Sequence, residues 1–98
     1  MSTMIWDEEK RVSNLLKHGL DFMDAFLVLD SPYRLDIQSE RNGEVRIQSF
    51  AYAFPVLAVL TLVHIPGESV RIISFRRAKR SEREVYYGWL ENDVDDAR

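Results

Sequence analysis

The ten residues from Val56 to Ile65, VLAVLTLVHI, limit the fold more than any other stretch. They are apolar and largely β-branched, interrupted only by Thr61 and His64. The run is far too short to cross a bilayer. It reads as a central strand covered on both faces, because a strand with one wet face would alternate. Tyr52 to Pro55 and Pro66-Gly67-Glu68 supply turns on either side. Whatever else the chain does, it must build a sheet around this strand.

The neighbouring segments supply the rest of that sheet. Tyr33, Leu35 and Ile37 alternate with Arg34, Asp36 and Gln38, the period of two expected of a strand. Asn42-Gly43, within Glu40 to Glu44, is a hairpin signal. Val45, Ile47 and Ser49 alternate with Arg46, Gln48 and Phe50. After the central strand, Val70, Ile72 and Ser74 are expected on one face, with Arg71, Ile73 and Phe75 on the other. Three helices flank the strands. Asp7 is a good N-cap and Glu8 and Glu9 suit the first turn, while Gly19 suits the end. This places a helix over Glu8–His18, with Val12, Leu15 and Leu16 as an i, i+3, i+4 stripe. Asp21 caps a second helix, with Phe22, Ala25, Phe26 and Leu29 inward and Ser31-Pro32 as its stop. Ser81, with Glu84 three residues on, reads as the capping box of a third helix.

The predicted order is α-α-β-β-β-β-α, with a short extra strand conceivable at Met4 to Trp6. The expected fold class is α+β: a four-stranded antiparallel sheet, two N-terminal helices packed on one side, and a C-terminal helix. At 98 residues this is a single domain, 1–98, with residues 91–98 an acidic, frayed tail. The first residues lack an apolar signal-peptide core.

Charge is the clearest functional signal. The chain carries a net charge of −3, yet six of its 13 cationic residues fall between Arg71 and Arg83. These are Arg71, Arg76, Arg77, Lys79, Arg80 and Arg83. A basic cluster on an acidic protein marks one face for an anion, although a solvated helix start would look the same. There is no cysteine, which excludes disulfides, thiolate zinc sites and a cysteine nucleophile, and which suits a reducing cytoplasm. Neither His18 nor His64 has a second ligand at metal spacing, so no metal and no cofactor are expected. Ser74 and Ser81 lack a neighbouring His-Asp pair, so a serine nucleophile is not supported.

One set of residues carries a resemblance. It comprises W-D-x-x-K (Trp6, Asp7, Lys10), N-L-x-K-H-G (Asn14 to Gly19), Phe22, R-I-I-S-x-R-x-A (Arg71 to Ala78) and E-R (Glu82, Arg83). Together, and in this order over nearly the whole chain, they resemble the BrnT toxin family. The resemblance implies a RelE-like fold and a toxin that shuts down translation by metal-independent RNA cleavage. It also implies a BrnA-like antitoxin with a ribbon-helix-helix DNA-binding part, in a complex that represses its own operon.

RNA cleavage without metal makes its own demands. The 2′-OH attacks the adjacent phosphate, and the charge that gathers there must be held by lysine and arginine. One group takes the 2′-OH proton and another protonates the leaving 5′-oxygen. Arg46 and Arg76 on or after strands, and Lys17 and His18 ending the first helix, are the candidate catalytic residues. Arg71, Arg77, Lys79, Arg80 and Arg83 are candidates for gripping RNA. Each has a plainer alternative. His18 fits a cap on the helix's free carbonyls, and His64 fits a structural role inside its strand. Glu44 and Glu82 are further proton carriers, or solvated surface. Arg76 is expected to be exposed, so that its substitution costs little stability. The rival functions are a non-catalytic module that uses Arg71–Arg83 to bind RNA or a partner, and a structural interaction domain.

Overall fold

The computed structural model describes residues 3–96, with side chains placed through Asn92. The elements run β1 (Thr3–Ile5), α1 (Glu8–His18), a 3-10 turn (Phe22–Asp24), α2 (Phe26–Leu29), β2 (Leu35–Arg41), β3 (Glu44–Ala53), a second 3-10 turn (Phe54–Val56), β4 (Ala58–Ile65), β5 (Ser69–Arg77) and α3 (Arg80–Asp96). The strands form one five-stranded sheet in the order β1-β5-β4-β3-β2. The four-stranded antiparallel sheet is therefore incomplete as an expectation: β1 joins β5 in parallel and makes the sheet mixed. The antiparallel meander β2 to β5 is as expected, with Asn42 and Gly43 both at positive φ in its first turn.

β4 lies in the middle, as its composition demands, with Val59, Leu60, Thr61, Leu62 and His64 all buried. One face of the sheet packs Ala51, Leu60, Leu62, Ile72 and Phe75 against Phe22, Ala25 and Val28. The other packs Phe50, Val59 and Ala78 against Tyr86 of α3, flanked by Trp89 and Leu90. Helical structure thus covers both faces. The predicted second helix is broken: Asp21 caps only a 3-10 turn, and α2 is a separate four-residue helix. The acidic end is helical as far as Asp96; residues 97 and 98 lie outside the described residues.

The alternation predicted for β5 fails at one point. Ile72 and Phe75 are both buried, although an unbroken strand would send residues three apart to opposite faces. A bulge resolves this: His64 pairs with Ile72 while Val63 pairs with Ser74, leaving Ile73 as the extra residue. Beyond it Phe75 enters the core, and Ser74 and Arg76 emerge on the α3 face with Arg71. Arg77, paired with the core residue Leu60, points to the opposite face.

α1 has the predicted ends. Asp7 Oδ1 accepts from the Glu9 and Lys10 N–H groups, and Gly19 sits at φ 71°. Its apolar stripe does not turn toward the core, as such stripes usually do. The buried residue is Asn14, and the apolar stripe faces solvent, with Val12 44 %, Leu15 38 % and Leu16 84 % exposed. Asn14 explains the rotation. Its Oδ1 accepts from Phe75 N–H at 3.1 Å, and its Nδ2 donates to the carbonyls of Phe75 at 2.7 Å and Leu20 at 3.0 Å. The side chain acts as a strand neighbour where β1 has ended, satisfying edge groups that burial would otherwise leave unpaired.

Candidate active site

α3 begins two residues earlier than Ser81 suggests. Lys79 holds the N-cap position: its carbonyl accepts from Arg83 N–H at 2.9 Å, and its N–H donates to Glu82 Oε1 at 2.8 Å. That is the returning half of a capping box, with Glu82 rather than Glu84 three residues into the helix. Glu84 instead pairs with Arg80 at 3.2 Å on the surface.

The capping carboxylate is also the hub of the site. Arg76 clamps it with two bonds, Nη1 to Oε1 at 2.7 Å and Nη2 to Oε2 at 2.9 Å. Thr61 Oγ1, opposite Arg76 on β4, adds a second donor side chain at 3.0 Å. The two charged side chains are only 17 % and 14 % exposed. Arg76 foremost holds the Glu82 carboxyl down to about 2, with the Lys79 N–H and Thr61 contributing. At neutral pH Glu82 is too weak a base to take a proton. It orients Arg76 instead, and its reading as solvated surface is replaced.

Near this pair, α1 and β5 flank a shallow, open cavity of about 220 Å³. Lys10, Ser13, Lys17 and His18 line it from the helix, and Ser74 from the strand. His18 makes no capping bond among the described residues; the cap bond at this end is Gly19 N–H to Leu15 C=O, at 2.8 Å. Partial burial lowers the His18 pKa, and the charges of Lys17 and then Arg76 push the same way. The cationic setting thus disfavours the imidazolium and favours the neutral, proton-accepting imidazole.

Of the sequence candidates, Lys17 and His18 line this pocket, and Arg76 lies outside its lining but near enough for its charge to act on His18. Arg46 does not: it shares the α3 face but lies at the far end, beside the row of Ile65 and Arg71. Four residues along β4 separate that row from Thr61, on the order of 13 Å. Arg46 reaches only Glu44, at 3.8 Å, and its Nε is buried without a partner among the described residues. Arg71 and Lys79 are exposed. Arg77 faces away, Arg80 is occupied by Glu84, and Arg83 donates to the Ala78 carbonyl at 2.8 Å. The dense basic run in the sequence is thus dispersed in space. Lys10 and Ser74, which also line the cavity, were not among the sequence candidates. Lys10 falls seven residues before Lys17, two helical turns, which puts them on one side of α1; that spacing was a usable signal.

His64 belongs to a different network. It is 3 % exposed, and its Nε2 lies 2.9 Å from Ser49 Oγ, which donates to Asp36 Oδ1 at 2.6 Å. Serine sits in the middle of this chain and is fully buried, so the trio is not a nucleophilic triad. Since Ser49 gives its one proton to Asp36, His64 Nε2 must be the donor to Ser49. Burial lowers the His64 pKa below 6.5. Among the described residues no three His, Asp or Glu side chains are grouped to hold a metal, and no helix is long and apolar enough to cross a membrane.

Stability should fall with acid in two stages. His64 is protonated more readily unfolded than folded, so its contribution is complete above about pH 6.5 and shrinks below it. Glu82, at about 2 folded against 4.5 unfolded, contributes above pH 4.5 and loses that contribution between 4.5 and 2. Urea unfolding measured across pH should show both, with Glu82→Gln abolishing the lower stage and leaving the upper one.

A comparison with known families bears directly on this arrangement. Residues 6–82 match the family described as the BrnT ribonuclease toxin of type II toxin–antitoxin systems. The chain belongs to the BrnT family. The matched span runs from Trp6 to Glu82, enclosing both walls of the cavity and the Arg76–Glu82 clamp. No curated protein matches the chain in sequence. This BrnT chain is accordingly a ribonuclease toxin of a type II toxin–antitoxin system, with RNA as target and an antitoxin as partner.

Proposed function

We propose that this toxin is a metal-independent endoribonuclease working at the cavity between α1 and β5. The observation that carries the reading is a pocket that His18 lines together with Lys10 and Lys17, within reach of the charge of Arg76. His18 takes the 2′-OH proton as the 2′-oxygen attacks the adjacent phosphorus. Lys10 and Lys17 face the charge that builds on the phosphate. Arg76 adds the N–H groups that Glu82 leaves free, in a direction the clamp fixes. The P–O5′ bond breaks, and Lys17 hands a proton to the leaving oxygen. The products are a 2′,3′-cyclic phosphate and a 5′-hydroxyl. Arg46 and Arg71, further along the same sheet face, bind flanking phosphates rather than the reacting one, and Lys79 extends the contact at the α3 end. Arg77, Arg80 and Arg83 contribute at most to the general field.

The antitoxin in this reading is BrnA-like, with a ribbon-helix-helix part that carries the complex to its operator DNA, and the pair acts in the cytoplasm. The test is cleavage of RNA with EDTA present. The expected result is undiminished cutting with cyclic-phosphate ends. Activity lost to the chelator and restored by a divalent ion would overturn the mechanism, and retarded but intact RNA would make the protein a binding module.

A further inference from the structure

The exposed stripe of α1 is an anomaly that ribonuclease chemistry does not use. Helices of globular proteins turn such stripes inward. Here Asn14 bonds to β5 and fixes the helix with Val12, Leu15 and Leu16 outward, Leu16 being 84 % exposed. A groove runs along this surface, bounded by Glu8 and Glu9 near the helix start and by Ser13 and Lys17 toward its end. Ser13 and Lys17 also line the candidate catalytic cavity. The apolar stripe and the basic cavity are therefore one continuous surface, wrapped around a single helix.

We infer that the antitoxin covers the active site by seating an apolar segment on the Val12–Leu16 stripe, with acidic side chains reaching Lys10 and Lys17. The inference rests on the catalytic placement proposed above. The family supplies a protein partner whose task is to silence this toxin. The surface says what that partner must offer. Apolar side chains on the stripe give the affinity, since rim charges alone contribute little. Acidic groups over Lys10 and Lys17 fix the orientation and compete with RNA phosphate. RNA itself has no comparable use for the stripe, because its backbone binding is driven by charge. Arg76 and Arg77 form no joint target, as they face opposite sides of the sheet.

The experiment uses the full-length toxin and its cognate antitoxin, with binding read by calorimetry in the absence of RNA. Leu16→Lys should weaken the complex about 10- to 100-fold, as loss of a buried apolar anchor does. The same variant should keep the wild-type melting temperature and cut RNA as well as wild type, because Leu16 is nearly free in the toxin alone. Val12→Lys, tested separately, should weaken binding in the same sense. Unchanged affinity in both variants would overturn the inference. So would a wild-type toxin that is dimeric alone and that Leu16→Lys converts to monomer, since the stripe would then be covered by a second copy. A wild-type toxin that fails to cut RNA, yet loses antitoxin affinity through Leu16→Lys, would sink the catalytic reading and leave the docking surface standing.

Discussion

Arg76→Ala should cost this protein both its activity and a substantial part of its stability. Charge at the sheet's end would suggest a tolerant, exposed site. The geometry reverses that. Arg76 is 17 % exposed and supplies two of the four bonds to Glu82. Removing it leaves a half-buried carboxylate with only Thr61 and the Lys79 N–H. Stranding a charge in this way costs about 1–3 kcal/mol, which in a domain of this size lowers the melting temperature by roughly 4–24 °C. Glu82→Gln at the same time should recover part of that loss, because a neutral amide has less need of a cation. Cleavage should not recover in the double variant, since the guanidinium is still missing; a drop of about 10²–10³-fold is expected for loss of one preorganised donor. Calorimetry and single-turnover cleavage on the two singles and the double would decide it. A single variant that melts like wild type would show that the clamp carries little energy. A double variant that cuts like wild type would show that Arg76 only offsets Glu82.

This clamp also shows where the sequence could be read and where it could not. The limits of α1 were legible because Asp7 and Gly19 act within one turn of themselves. The β2–β3 hairpin was legible because Asn42-Gly43 favours its turn locally. The apolar run of β4 announced a strand buried on both faces. What escaped was long-range. Nothing near Asn14 says that its partner is Phe75, 61 positions away, and that bond decides which side of α1 faces water. The bulge at Ile73 is invisible to a count of alternating residues, yet it places Ser74 and Arg76 on the same face as Arg71. A short strand near Met4 to Trp6 was in view, but not its parallel pairing with β5, which makes the sheet mixed. Glu82 looked like one more surface acid because its three side-chain and backbone partners converge from β4, β5 and the helix start. The site candidates fared accordingly: Lys17, His18 and Arg76 share one neighbourhood, while most of the crowded Arg71–Arg83 segment turned out to be dispersed or already paired.

His18→Ala should reduce cleavage by about 10²–10⁴-fold, the usual weight of a positioned general base. The sharper expectation concerns pH. A base works deprotonated, so the wild-type rate should climb with pH through the His18 pKa and level off above it. That pKa lies below 6.5, because partial burial and then the charges of Lys17 and Arg76 disfavour the imidazolium. The midpoint of the climb should therefore lie below 6.5. Lys17→Met removes the nearer charge and should shift the midpoint of the climb upward, toward 6.5, while also lowering the plateau. Arg76→Ala should shift it the same way by less, matching its lesser effect on His18. In His18→Ala the climb should vanish. A histidine that merely completed the end of α1 would behave differently: its loss would lower the melting temperature and leave the shape of the pH–rate profile intact. Such a profile, unchanged in form from wild type to His18→Ala, would remove His18 from the mechanism and leave Lys10, Lys17 and Arg76 to act through charge alone.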